Sequence, residues 1–439
     1  MRKVLILAVI LIAVVAVMTT GVFLYLQNSR PQIIETGPIT LTYWGVFERD
    51  YDIQPFIEEF QEQNPDIKIN YELRSLNNYR SQIESRAGLE GGPDLFRFHN
   101  SWGRSIAQVA AIVPTSTAQR VDFSNSFYPV VWSDTLRGTT GYFGIPLMYD
   151  GLGLFYNRQI LREANVTAPP ASWEELFGIN GMGNKLAGRN NGNLEIGAIA
   201  LGTTNNVDHW QDIFGLMMYQ ANANLALPHS TRENTESAKR IFRQATEEGL
   251  WNSQMPSAIN AFAEGKLALM FGISWRAFDI QKLNPQLDFA VAPVPQLAGG
   301  KVGYANYWIE GVANYNNAVT QRRFSRAQAE RRQNAAWKFL EFMHEKERSV
   351  RHHAVQSERR LFGEPFARKD LAENLSQNRY LAGILETAEQ AKSWYLADKV
   401  SSGSYNEELS KAYESYLNNG IDTQTLEQQV QAILKKIPQ

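Results

Sequence analysis

Apolar positions repeat along most of this chain with two alternating periods. Ile39 to Val46 is a continuous apolar run of strand length. After it, Asp52 is placed to cap a helix, because Ile53, Phe56, Ile57 and Phe60 recur at i, i+3, i+4 and i+7. Asn64-Pro65 stops that helix, and Ile67 to Leu73 alternates as a second strand. Strand, helix and strand in this order predict an α/β sheet with right-handed crossovers. The alternation continues downstream. Leu95–Phe98 predicts a strand, Ser101–Ala111 a helix, and the glycine-broken run Gly144–Tyr156 a strand region. Ser172-Trp-Glu-Glu175 matches a capping box. Ile259–Ala263 predicts a helix and Lys266–Phe271 a strand. Ala336, Phe339, Leu340 and Met343 mark one late helix. Leu409, Ala412, Tyr413 and Tyr416 mark another, and Leu426, Val430, Ile433 and Leu434 the last. No internal repeat is visible.

The first 30 residues follow neither period. Arg2 and Lys3 precede an apolar stretch from Val4 to Leu26, interrupted by Thr19, Thr20 and Tyr25. As a helix it would be about 34 Å long, enough for the ~30 Å hydrocarbon core. A cleaved signal has a shorter apolar region and a small-residue cleavage site, and none stands before Gln27. The expectation is therefore a retained single-pass anchor rather than a signal. Arg2 and Lys3 stay in the cytoplasm, and everything after Leu26 lies outside the cell membrane. Residues 28–38, polar with two prolines, read as a linker.

Composition narrows the function class. With 439 residues, 44% of them hydrophobic and 20% charged, the chain has the material for two or three domains with real cores. A net charge of −2 gives no electrostatic case for nucleic-acid binding. The absence of cysteine excludes disulfides, thiolate metal sites and a lipid-modified N-terminal cysteine. Core packing accounts for most of the aromatic residues, and ten tryptophans are enough to leave a few for a ligand site.

Five motifs, in order, resemble one family. Leu41-Thr-Tyr-Trp44 with Asn64-Pro-Asp-Ile-Lys-Ile69, then Gly92-Pro-Asp-Leu95, open the series. Gly144-Ile-Pro146, Leu154-Phe-Tyr-Asn157 and Pro170-Ala-Ser-Trp-Glu-Glu-Leu176 form its most specific stretch. Phe262-Ala-Glu-Gly-Lys-Leu-Ala-Leu-Met270 with Gly272-Ile-Ser-Trp275, and Ala336-Trp-Lys-Phe-Leu340, complete it. Over residues 38–439 the chain resembles the bacterial extracellular solute-binding proteins of the maltodextrin-binding type, which feed ABC importers. The resemblance implies a periplasmic-binding-protein-like α/β fold: two lobes joined by three hinge crossings, with the ligand between them. The implied division has 1–29 as anchor or signal and 30–37 as linker. Lobe one is 38–148 with 303–361; lobe two is 149–302 with 362–439. The third crossing, near Arg360-Leu-Phe-Gly-Glu-Pro365, lacks the family's Leu-Pro-like pair.

A pyranose ring has apolar C–H faces and a rim of hydroxyls. A sugar site therefore wants aromatic rings beside carboxylates, amides and arginine. By the resemblance, Glu48 and Arg49 align with a polar ligand-contacting pair, and Asn100, Ser101 and Trp102 with a cleft loop. Asp150 stands where the family places a ligand-binding acid, with Tyr149 beside it. Trp275 aligns with a stacking tryptophan. Trp210, Trp394 and Tyr395 fall in regions where relatives stack a sugar, and Asn306, Tyr307, Trp308 and Glu310 follow the second crossing. Each has a plainer reading: solvated loop, helix cap, hinge hydrogen bond or packed core.

Other chemistry finds no support. His344-Glu-Lys-Glu-Arg348 lacks the second histidine of a zinc helix, and His352 and His353 point to different sides of a helix. Gly272-Ile-Ser-Trp-Arg276 lacks the closing glycine of a nucleophile elbow. The cluster Arg322, Arg323, Arg326, Arg331 and Arg332 reads as a solvated helix face. The expectation is a monomeric, non-enzymatic sugar-binding protein without cofactor or metal, partnered by an ABC permease. A surface-anchored glycosidase and a binder of peptide, polyamine or phosphodiester stand as rivals.

Overall fold

A computed structural model describes residues 37–138, 141–315, 324–394 and 405–437. The expected membrane segment Val4–Leu26, and Tyr395, lie outside them. Among the described residues no helix is long and apolar enough to cross a membrane.

The strands form two sheets with helices packed around them. The first has four strands in the order β2-β1-β3-β9. These are β1 (Ile39–Gly45), β2 (Ile67–Leu73), β3 (Leu95–His99) and β9 (Trp308–Val312). β1 runs parallel to β2 and β3, joined to β2 through α1 (Asp50–Gln63) as the βαβ pattern predicts. β9 enters antiparallel against β3. The second sheet has the order β5-β6-β7-β4-β8: β4 (Gly153–Asn157), β5 (Gly188–Asn190), β6 (Asn193–Ile199), β7 (Leu267–Gly272) and β8 (Phe289–Ala292). Every residue of β3, β7 and β9 is buried; β7 reads as an unbroken apolar run, while β3 carries Arg97 and His99 and β9 carries Glu310 into the interior.

The helices used below are α1, α2 (Trp210–Gln220), α3 (Arg276–Leu283), α4 (Arg326–His344), α5 (Lys346–Ser357) and α6 (Tyr405–Leu417). Ser325 and Gln328 close a capping box at the start of α4. At Ser172 the box is half made: Ser172 accepts from Glu175 N, while the Glu175 carboxylate accepts from Ala171 N instead.

Three expectations fail locally. The predicted helix Ser101–Ala111 is only a 3-10 turn, Asn100–Trp102, and one α-turn, Gly103–Ile106. There the chain turns away, and Ala111 N bonds Val312 O of the first sheet. The predicted strand region from Gly144 forms a strand only from Gly153; before it, single bridges tie Ile145 to Glu310, Met148 to Phe366 and Gly151 to Ala305. At Gly151 a β-carbon would stand 2.8 Å from the Tyr304 carbonyl, so the close pass of these backbones needs glycine. Arg332 is not on a solvated face. It is buried and grips Asp94 with three guanidinium bonds, one from Nε (3.0 Å) and two from Nη2 (2.8 and 2.9 Å). Arg326 and Arg331 keep the expected exposure, while Arg322 and Arg323 lie outside the described residues.

Candidate functional site

The C-terminal end of β1, the C-terminal end of β3, the start of β9 and the end of β7 meet where the backbone passes between the sheets. Strand ends are where α/β sheets gather ligands. A line of rings runs across this junction. Trp102 meets Trp308 edge-on at 5.3 Å, Trp308 meets Phe47 edge-on at 5.3 Å, and Phe47 lies 5.5 Å from Trp275 at 40°. Trp275 continues to Phe278 (5.2 Å), and Phe278 to Phe362 (4.6 Å). Trp102 and Trp308 are buried and serve as the floor, whereas Trp275 is half-buried and Phe47 is 39% exposed. The guanidinium of Arg360 lies 5.4 Å from the Trp275 ring, and its Nε and Nη2 are buried without a hydrogen-bond partner.

Trp275 owes its position to Asp150. The Asp150 carboxylate accepts from Ser274 N (3.1 Å), Ser274 Oγ (2.7 Å) and Gly151 N (2.8 Å). Burial pushes its pKa up to about 7, against the pull of those same donors. Asp150 thus ties the passage after Met148 to the turn that presents Trp275, and its carboxylate is bonded within the protein by these three donors.

A second polar chain joins the two sheets. Arg276 Nε donates to His209 Nε2 (3.0 Å), so His209 carries its proton on Nδ1 and donates to Asp212 Oδ2 (3.1 Å). Asn306 Nδ2 donates to the same oxygen (3.0 Å), and its Oδ1 accepts from His99 Nε2 (2.8 Å). His99 Nδ1 then accepts from Ser101 Oγ (2.8 Å). The chain starts on α3 and α2 beside the second sheet and ends on β3 of the first.

Glu48 and Glu310 stand elsewhere than on an open cleft wall. At 1% and 0% exposure they belong to a buried ion cluster around Arg97. Arg97 Nε meets Glu310 (2.7 Å), Nη1 meets Glu364 (2.8 Å) and Nη2 faces Glu48 at 3.6 Å. Glu48 also bonds His352, and Gln356 links it to the Glu364 backbone. Burial pushes Glu310 up to about 7 despite Arg97. Burial raises Glu48 too, but His352 and Arg97 outweigh it and hold it at about 2. Burial alone would lower the His352 pKa; Glu48 raises it above the usual histidine range.

The remaining expected residues divide. Asn100, Ser101 and Trp394 line a 590 Å³ cavity together with Arg104, Asp134 and Arg137. Asn100 donates to Asp134 (3.1 Å), which Tyr307 and Ser393 also bond; burial pushes Asp134 up to about 6. Trp210, the first residue of α2, is buried and lines a different, 390 Å³ cavity against α6. Arg49 is exposed at the start of α1. Tyr149 is buried among Tyr128 and Tyr307.

Sequence reading missed Phe47, His99, Asp134, His209 and Arg360. The only signal for Phe47 was an aromatic residue directly after a strand; the other four carry none. Among the described residues no group of three or more His, Asp or Glu could hold a metal ion.

Residues 45–347 match the family model described as bacterial extracellular solute-binding protein. Among solved structures, the sugar-binding protein MalE of Xanthomonas citri superposes with a TM-score of 0.70 at 17% identity, covering 91% of this chain and 98% of that one. The cyclic alpha-maltosyl-1,6-maltose binding protein of Arthrobacter globiformis gives 0.68 at 16% identity, covering 91% and 100%. The GacH receptor of Streptomyces glaucescens, solved unliganded and with acarbose, gives 0.65 at 17%, covering 92% and 99%.

Proposed function

The chain belongs to the bacterial extracellular solute-binding proteins, and from that premise we propose that it captures a sugar at the junction of its two sheets and delivers it to an ABC-type importer. The observation that carries this reading is the half-buried Trp275, held by Asp150 at the end of β7 and facing rings and polar groups of the first sheet. A flat aromatic face flanked by amide, carboxylate and guanidinium groups matches a pyranose better than it matches a peptide or polyamine. The superposed neighbours whose names state a ligand take sugars.

In this reading the lobes are 38–148 with 303–361 and 149–302 with 362–439, and the three passages between them act as hinges. Ligand contacts with both lobes favour the closed state over the open one. The two cleft carboxylates best placed for catalysis, Asp150 and Asp134, are consumed by internal hydrogen bonds, which favours binding over hydrolysis. Val4–Leu26 serves as a retained anchor with the globular part outside; intact mass of the protein from its native membrane should include those residues.

Calorimetric titration of the full chain in detergent with maltotriose, cellotriose, mannotriose and galactotriose tests the function. Binding of at least one, without product on prolonged incubation, is expected. Heat only with peptides, polyamines or phosphodiesters would overturn it.

A further inference from the structure

Phe47 has three properties that do not belong together in a residue of no consequence. It is a large apolar side chain left 39% exposed. Its φ is +70°, a region that a bulky residue rarely occupies. It is also the centre of a three-residue turn, because Glu48 N donates to Val46 O at 2.9 Å; a turn of this kind with positive φ is the strained variety.

The surroundings enforce that turn. The Glu48 side chain is fixed in the ion cluster by Arg97 and His352. The Glu48 carbonyl accepts from Tyr71 OH at 2.7 Å. Tyr71 reaches it only because residue 45 is glycine: a β-carbon there would stand 2.2 Å from the Tyr71 hydroxyl. With Glu48 pinned from two sides, the ring of Phe47 is driven out of the first sheet and toward Trp275 of the second. Strain held in place by such support gathers at ligand clamps.

We propose, on the basis of the sugar-binding reading above, that Phe47 is a ligand-recognition residue. It is the first-lobe wall of a two-sided aromatic clamp whose second wall is Trp275, and it takes a pyranose ring between them. The two rings now close directly on one another, and a sugar ring replaces that contact when the lobes separate and close again. A clamp with two aromatic walls selects a ring with C–H groups on both faces, so an axial hydroxyl costs one wall. Arg360, with two buried unpartnered N–H groups beside Trp275, supplies donors for the hydroxyl rim. Glu48 is then a positioning residue that acts through Phe47.

The test compares wild type, Phe47→Gly and Phe47→Trp as full chains, by calorimetry with maltotriose, cellotriose and galactotriose and by thermal melts. Glycine suits the positive φ, so Phe47→Gly should melt no lower than wild type while binding the glucose-series sugar at least ten-fold more weakly. Phe47→Trp should retain most of the affinity. Wild type should prefer the glucose series to galactotriose, whose O4 is axial. Unchanged affinity in Phe47→Gly overturns the clamp while leaving the sugar-binding reading intact. Wild type that binds none of the three, nor mannotriose, overturns the reading on which the clamp rests; wild type that binds mannotriose or galactotriose better than the glucose series overturns the clamp alone.

Discussion

Replacing Arg97 by methionine keeps most of the side chain's length and removes the one arginine that faces three buried carboxylates. Glu310, Glu364 and Glu48 stand 2.7, 2.8 and 3.6 Å from it, all at 3% side-chain exposure or less. Breaking a buried ion pair by removing one partner costs about 3–5 kcal/mol, because the abandoned charge stays in a dry site. Proton uptake sets a ceiling: neutralising a carboxyl of ordinary affinity at neutral pH costs about 4 kcal/mol. Glu310, already pushed up to about 7, needs little of that; Glu48 keeps His352 as a partner. The net loss is therefore about 4 kcal/mol near pH 7.5, which for a chain of this size is roughly 5 °C in melting temperature. With the guanidinium gone the folded variant should hold at least one proton more than folded wild type, so about 1.4 kcal/mol of the loss should return for each unit the pH is lowered. Melts of both proteins between about pH 5.5 and 7.5 read this directly. Arg97→Lys should lie between, since a point charge cannot bond three acids as a guanidinium fork does. A depression that is the same at both pH values, or under about 2 °C, would refute the account of this cluster.

Three more expectations are open to measurement. Trp275→Ala should weaken sugar binding by about 1–3 kcal/mol, with Trp275→Phe intermediate and both melting near wild type; normal binding with a large drop in melting temperature would make Trp275 a core residue. Asp150→Asn places an amide donor against Ser274 N and Oγ, and should cost about 1–3 kcal/mol in stability and disturb Trp275; indole fluorescence and melts would both have to be unchanged to contradict this. The folded-state pKa of Glu310 is raised, so its stabilising contribution is complete below the ordinary glutamate range and fades as pH rises through about 7. Glu310→Gln fixes the neutral form, so wild type should lose melting temperature relative to the variant from about pH 5 to 8, and a constant difference would count against it.

The order of the elements was legible in the chain because it is local. Ile67–Leu73 is a strand by its own alternation, and the Ile53, Phe56, Ile57, Phe60 stripe is a helix face wherever it packs. The strand Leu267–Gly272, after which the chain turns to Trp275, was legible from its own apolar run and the glycine that ends it. Motif order carried the family, now matched over residues 45–347. The direction of individual side chains was not legible. Glu48 and Glu310 lie 262 positions apart in the numbering and face one arginine only because β1, β3 and β9 are neighbours in one sheet. Nothing local separates a carboxylate pointing at solvent, at a ligand or at a buried guanidinium; the desolvation that decides it comes from the whole packed surround. The same holds for Phe47. Its sequence context reads as an ordinary loop, while its positive φ is imposed by its neighbour Glu48 together with Arg97, His352 and Tyr71, which come from β3, α5 and β2. Sequence periodicity sets which face of an element is apolar; only the meeting of distant elements decides which polar and aromatic groups are left facing the cleft.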